Sequence, residues 1–244
     1  MIFPKFLKTI KLYQMLLSII IPVYNEKSTV EEVINKVLGI NLPCEKEIIV
    51  VDDGSNDGTA EVLRLQETKI TRLYSNPVNV GKGAAVRIGL SFVQGDIILI
   101  QDADLELDPN EYAQLLQPIF ERKTSVVYGS RFLERRPKIS PLRRFANFFL
   151  TELTNVLYGS KLTDMGTAYK VFTSEVAKKL NLRANKFEID PEITAQICRL
   201  GYKIIEIPIS YNPRTVLEGK KIRAKDGVKA VWTLFHWRFE KLKK

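Results

Sequence analysis

Two aspartates separated by one small residue, Asp102 and Asp104, close an apolar run in the stretch IILIQDADLE (97–106). Carboxylates held so close repel each other unless a cation sits between them. Oxygen donors of this kind suit Mg²⁺ or Mn²⁺, often shared with a substrate phosphate. A second acidic pair, Asp52-Asp53, ends the run EIIVV and leads into GSNDGT. Carboxylates only accept hydrogen bonds, so a pair there suits a ribose hydroxyl or a base N–H and not a phosphate. Gly81-Lys82-Gly83 brings a cation to a helix entry. It is no Walker loop, because Asn76 and Gly83 stand where that pattern needs Gly and Ser or Thr, and Val86 breaks a dinucleotide G-x-G-x-x-G. Lys82 is left as a candidate for a diphosphate.

Other chemistries are excluded by what is scarce. His236 is the only histidine and lies in a basic tail, against a Ser-His-Asp triad or a His-based zinc site. Cys44 and Cys198 are far apart, without a C-x-x-C, and read as thiols of a reducing compartment.

The elements that carry the acidic pairs alternate. Strands are expected at 18–23, 47–51, 71–75, 97–101 and 125–128. Helices follow from Ser28 or Thr29, from Thr59, from Gly81-Lys82-Gly83 and from the Asp108-Pro109 cap. That alternation argues an α/β fold with a mostly parallel sheet flanked by helices, ligands binding at the carboxyl ends of its strands. Beyond residue 128 a Phe- and Leu-rich helix starts at Ser140-Pro141. Arg143 and Arg144 oppose its dipole, which marks them as ligand candidates. Strands are expected at 168–172 and 203–207, and helices at 190–200 and 226–244.

The 244 residues are 45% hydrophobic, enough for one large core with an appendage. A net charge of +9 points to phosphates, nucleic acid or an anionic membrane surface. The basic residues are dispersed or in the tail, which argues against nucleic acid. No apolar run reaches the roughly 20 residues of a membrane span. The first 17 residues are basic and apolar but lack a cleavage site, so Met15–Val23 reads as a core strand and not a signal peptide. In the tail, residues 228, 231, 232, 235, 239 and 242 form a helical apolar stripe with Lys229, Arg238 and Lys241 off it and Trp237 opposite. Docking on the protein and lying on a membrane surface both stay open for this helix.

SIIIPVYNE, EIIVVDDGSNDGT, GKGAAVRIGL, GDIILIQDADLELDP, VVYGSRF, LTDMGTAYKVF and FEIDPEITAQICRLGYKIIEIPISY follow in this order. With them the chain resembles the family 2 inverting glycosyltransferases of GT-A fold, over residues 16–225. Within that family it is most similar to the polyprenyl-phosphate (dolichol-phosphate) mannosyl- and glucosyltransferases. The resemblance implies a Rossmann-like GT-A catalytic domain over 16–224, and the apolar and basic patterns on either side of it add an amphipathic N-terminal extension over 1–15 and a basic amphipathic helix over 225–244.

It also implies roles. Pro22, Tyr24 and Glu26 match the segment on the nucleobase and ribose, and Asp53 the nucleotide-binding aspartate. Asp102 and Asp104 match the pair around metal and donor diphosphate. Glu106 stands where relatives often have a metal-binding Gln. Arg131 matches the arginine near an acceptor phosphate, and Arg214 a basic residue near the diphosphate. Relatives often read T-D-M-E-T-C-Y-K and G-F-E-P-E where this chain has TDMGTAYK (163–170) and EIDPE (188–192), so the acceptor side departs from the pattern.

The implied reaction moves a hexose from a nucleotide diphosphate sugar, of GDP-mannose or UDP-glucose type, to a polyprenyl phosphate. It would use Mg²⁺ or Mn²⁺ at the cytoplasmic face of a membrane, the protein being peripheral. A phosphate acceptor is already anionic and needs no strong base. The alternative is a family 2 enzyme acting on a saccharide or lipid hydroxyl in cell-surface glycan synthesis. It would need a base, for which Asp190 and Glu192 are the candidates. A catalytically dead scaffold is disfavoured by the intact D-x-D.

Overall fold

Leu17, Ile19, Ile20 and Ile21 at one position in the sheet and Ile97–Ile100 beside them are apolar on both faces. Strands of that composition are stable only when both faces are covered. The computed structural model describes residues 15–134, 137, 139–214 and 224–241. The N-terminal extension (1–15), apart from Met15, lies outside them, as do residues 242–244.

The first half alternates as expected: β1 (Leu16–Val23), α1 (Val30–Gly39), β2 (Glu45–Asp52), α2 (Thr59–Gln66), β3 (Arg72–Ser75), α3 (Lys82–Phe92), β4 (Ile97–Ile100), α4 (Tyr112–Phe120) and β5 (Val126–Ser130). The second half adds α5 (Pro141–Tyr158), β6 (Lys170–Thr173), α6 (Ser174–Lys179), α7 (Ile189–Arg199), β7 (Ile204–Pro208) and α8 (Ala224–Phe239). Seven strands form one sheet in the order β3-β2-β1-β4-β6-β5-β7. One face packs on α1 and α4 through Val33, Ile34, Leu115 and Leu116, and the other on α3 and α7 through Val86, Ile193 and Ile197.

The sheet is parallel except for β6, which runs antiparallel to both β4 and β5. Apolar periodicity reveals that 168–172 is a strand but carries no direction. The reversal matters for the site, because it places the amino end of β6 beside the carboxyl ends of its neighbours, with Lys170 opposite Tyr128. The short helix α6 was not expected.

Two caps are as the sequence indicates. Ser140 Oγ accepts from Arg143 N at the start of α5, and Asp108 Oδ1 accepts from Asn110 N over a 3₁₀ turn that precedes α4. Thr29 differs. Its hydroxyl does not cap α1 but donates to the Ala103 carbonyl at 2.8 Å, tying the first turn to the D-x-D loop.

The start of α3 abuts the loop before α7. Ala84 N donates to Asn185 O at 3.0 Å, and a Cβ on Gly83 would stand 2.5 Å from the Ala184 oxygen. Alanine is otherwise better than glycine in a helix by about 1 kcal/mol. Gly83→Ala is nonetheless expected to lower stability, by about 1–3 kcal/mol from overpacking against backbone. A urea midpoint that rises instead would show that this contact is not tight.

Candidate active site

The carboxyl edge of the sheet gathers the acidic residues. Pro22 is the penultimate residue of β1 and Tyr24 follows the strand, both half-buried. The turn after β1 is laced to the loop after β2: Asn25 N donates to Ser55 Oγ at 2.9 Å, Asn25 and Asn56 exchange side-chain bonds, and Glu26 N donates to Thr59 Oγ1.

Asp53 is buried and its carboxylate is filled. Oδ1 accepts from Asn76 Nδ2 (2.8 Å) and Val80 N (3.0 Å), and Oδ2 from Asn79 Nδ2 (2.9 Å) and Gly81 N (2.6 Å). Four donors match the four lone-pair sites of a carboxylate. Asp53 thus fixes the loop that leads into Lys82.

The D-x-D segment is held from below by Gln101. Its Oε1 accepts from the hydroxyls of Tyr112 and Tyr169, and its Nε2 donates to the Asp102 carbonyl. Leu105 has φ 59°, a conformation costly for a bulky residue. The turn is fixed by Glu106 N donating to Asp104 Oδ1 at 3.1 Å.

The carboxylates are divided between cations. Lys82 Nζ lies 2.9 Å from Asp102 Oδ1 and 3.8 Å from Asp190 Oδ2. Lys170, fully buried, contacts the other Asp190 oxygen at 2.8 Å and donates to the Met165 and Thr167 carbonyls. Arg214 binds Glu26 through both terminal nitrogens (2.8 and 3.1 Å) and Asp104 at 2.9 Å, while its backbone N donates to Glu106 Oε1. Tyr211 OH donates to Glu106 Oε2 at 2.7 Å.

The electrostatics follow from burial and neighbours. Burial alone would lower the Lys82 pKa, but the charges of Asp102 and Asp190 outweigh it and hold the ammonium. Burial would raise Asp190, but Lys170 and Lys82 hold it below the usual carboxylate range. Asp104 goes the other way. Burial, then the charges of Asp102 and Glu106, push it up to about 7 despite Arg214. Among the described residues, Glu26, Asp102, Asp104, Glu106 and Asp190 form ion pairs with Lys82, Lys170 and Arg214.

The closeness of these carboxylates, and the hard oxygen donors of Asp102, Asp104 and Glu106, fit a divalent cation. Among the described residues no three acidic, histidine or cysteine side chains already form a metal cage. Arg214 and Lys82 hold these carboxylates apart on two cations.

Arg131 lies on the other side, after β5. It makes a two-pronged pair with the buried Asp164 (Nε–Oδ2 2.7 Å, Nη2–Oδ1 2.8 Å), and Nη2 also donates to Gly166 O and, at 3.4 Å, to Asn147 Oδ1 on α5. None of these bonds uses Nη1. Glu192 does not join the cluster: its carboxylate accepts from Arg183 N and Ala184 N and anchors that loop. Of the two arginines at the start of α5, Arg144 donates to Pro137 O.

Sequence reasoning did not assign Asp164, Lys170 or Tyr211. The signal was there for Lys170: a lysine inside AYKVF cannot be buried unpaired.

A family model described as Glycosyl transferase family 2 matches residues 18–180. A dolichyl-phosphate beta-glucosyltransferase of Trichomonas vaginalis is 30% identical over 228 residues, covering 87% of this chain and 70% of that protein. An undecaprenyl-phosphate 4-deoxy-4-formamido-L-arabinose transferase of Edwardsiella ictaluri is 27% identical, covering 83% and 62%. A dodecaprenyl-phosphate galacturonate synthase of Rhizobium johnstonii is 26% identical, covering 81% and 59%. The chain thus spans less than two thirds of the length of the last two. Among solved structures, glucosyl-3-phosphoglycerate synthase of Mycobacterium tuberculosis, in complex with Mn²⁺, UDP and its product, superposes with a TM-score of 0.70 at 20% identity, covering 91% of this chain and 80% of that one. The same enzyme with Mg²⁺ and UDP gives 0.71. At that identity the likeness establishes the fold.

Asp53→Asn turns an NH₂ group toward donors and is expected to cost about 1–3 kcal/mol in chemical denaturation. Unchanged stability would mean that the 76–81 loop is held by something else.

Proposed function

Because the chain belongs to glycosyl transferase family 2 and is therefore a glycosyltransferase, we propose that it transfers a hexose, with inversion, from a nucleotide diphosphate sugar to a polyprenyl phosphate. The reading includes Mg²⁺ or Mn²⁺ as cofactor and action at the cytoplasmic face of a membrane. The reading makes this association peripheral; no described helix is long and apolar enough to cross a membrane.

One observation carries the choice of acceptor. Asp190 is clamped between Lys82 and Lys170 and held below the usual carboxylate range. A base so weakened is a poor acceptor for a hydroxyl proton near neutral pH. Glu192 is committed to the Arg183–Ala184 backbone. With neither of the two candidate bases, Asp190 and Glu192, available, the site suits an acceptor that arrives ionised. Arg131, pre-oriented by Asp164 with Nη1 uncommitted, suits a phosphate oxygen. The relatives named for dolichyl, undecaprenyl and dodecaprenyl phosphate point the same way.

In this reading Pro22 and Tyr24 flank the nucleoside, and Asp53 serves it by fixing the loop below. Asp102, Asp104 and Glu106 would hold the divalent ion, which when bound withdraws charge from the departing diphosphate. Arg214, which binds Asp104 in this structure, would face that diphosphate, and Lys82 would stabilise the charge that grows as the glycosyl bond breaks. Asp190 positions Lys82 and takes no proton.

The test is turnover by the purified protein of UDP- and GDP-hexoses with polyprenyl phosphate in detergent, following sugar on the lipid. Sugar on the phosphate, abolished by EDTA and restored by Mg²⁺ or Mn²⁺, is expected. Donor hydrolysis without lipid product would move the acceptor to a hydroxyl. Lys82→Met should lower kcat by about 10²–10³-fold, the scale of losing one transition-state charge contact.

Metal binding should release a proton from Asp104. Its pKa of about 7 means it is mostly protonated at pH 6 and ionised at pH 8, so Mn²⁺ affinity should rise about tenfold over that interval. Calorimetry in buffers of different ionisation heat reads both effects. A flat pH profile would remove Asp104 from the ligand set.

A further inference from the structure

Large apolar side chains are unevenly exposed. Among the described residues, nine of the fourteen exposed ones lie on α5 and α8, which are adjacent helices. The apolar stripe expected on the tail does not face the protein. Val228, Trp232, Phe235 and Phe239 are exposed, at a spacing of four, three and four residues that keeps them on one side of a helix. The opposite side, Ala230, Thr233, Leu234 and Trp237, is the buried one. There Leu234 and Trp237 pack with Ala195 of α7 and with Leu150, Leu153 and Leu157 of α5. The helix is thus apolar on both sides, docked by one and bare on the other. α5 repeats the arrangement: those same leucines point inward while Leu142, Phe145 and Phe149 are exposed.

A bare apolar face of this size marks a contact surface, and the flanking charge selects the partner. Lys225, Lys229, Arg238 and Lys241 are all exposed beside the α8 stripe. Aromatic residues in the middle with lysine and arginine at the margins fit an interface of apolar chains beneath anionic headgroups. The placement is also right for a lipid-borne acceptor: α5, which carries Phe145 and Phe149 outward, turns Asn147 to Arg131 on its inner side.

We propose that α5 and α8 together form the face by which this protein lies on an anionic bilayer, their aromatic stripes immersed and the basic residues at headgroup level. The assignment rests on the lipid-acceptor reading above for preferring a bilayer to another apolar partner. α8 is therefore both a structural helix and a membrane contact, one role on each side, and α5 links the bilayer to the acceptor side of the site.

The two tryptophans provide the test, since Trp232 is 66% exposed and Trp237 only 3%, five residues apart on opposite sides. Vesicles of phosphatidylcholine and phosphatidylglycerol containing brominated chains should quench Trp232 and spare Trp237. Trp232→Phe should remove the quenchable part. The surface substitutions Phe145→Ser/Phe149→Ser and Trp232→Ser/Phe235→Ser should each weaken flotation with these vesicles by about tenfold or more, without altering thermal stability. Both pairs should keep wild-type turnover on a short, water-soluble prenyl phosphate and lose it on a long acceptor embedded in vesicles. Quenching and flotation by the wild type with no sugar on either acceptor would keep the membrane face and overturn the acceptor reading. Vesicle binding equal in wild type and variants would overturn the proposal. So would a dimer that the same substitutions dissociate, in a protein that ignores vesicles.

Discussion

Negative charge concentrated at one edge of a sheet is the condition to which the rest of this site responds. Glu26, Asp102, Asp104, Glu106 and Asp190 come from three separate segments of chain and are all at most half exposed. Such a cluster cannot remain folded and ionised without cations placed among it, and removing one partner of a buried pair costs about 3–5 kcal/mol. Lys82, Lys170 and Arg214 supply those cations, each from a different element. The antiparallel β6 follows from the same need in a physical sense: only a strand running backwards delivers its first residue, Lys170, to this edge of the sheet.

Compensation differs between the two sides of the cluster, and that difference has a chemical use. Where the lysines are, carboxylates stay ionised and inert as bases, as at Asp190. Where Arg214 binds Glu26 and Asp104, burial and the charges of Asp102 and Glu106 let Asp104 retain a proton to near neutrality. The same cluster is therefore a closed ion-pair network on the Asp190 side and an open, cation-seeking one on the Asp104 side. In the proposed reaction the two sides correspond to an environment that accepts charge from a leaving diphosphate and one that does not compete with an anionic nucleophile. Arg131 extends the second side, its guanidinium locked by Asp164 so that the part left over has a fixed direction.

Away from the site, packing has been arranged so that a helix is used twice. Trp237 and Trp232 are of one type on one helix, yet one completes a core with Leu150 and Leu153 and the other faces outward. Burial on one side fixes the helix rigidly enough that its other side can present a flat apolar stripe without the entropy cost of ordering a free segment. A loosely attached amphipathic tail would bind lipid only by folding at the moment of contact; a docked one is already shaped.

Much of this was legible in the sequence, for identifiable reasons. Local rules determined the alternation of strands and helices to residue 128, because fully apolar runs ending in acidic turns have few other solutions. Motif order determined the family. Periodicity determined which residues of the tail share a stripe. The tertiary structure decided what depends on contacts between distant segments: the direction of β6, the filling of Asp53 by the loop at 76–81, the commitment of Glu192 to a backbone turn, and the pairing of Arg131 with Asp164. It also decided which side of α8 is covered. Spacing defines the two sides of a helix equally well, but only the position of Ala195 and the α5 leucines, brought there by the fold, says which one meets the protein.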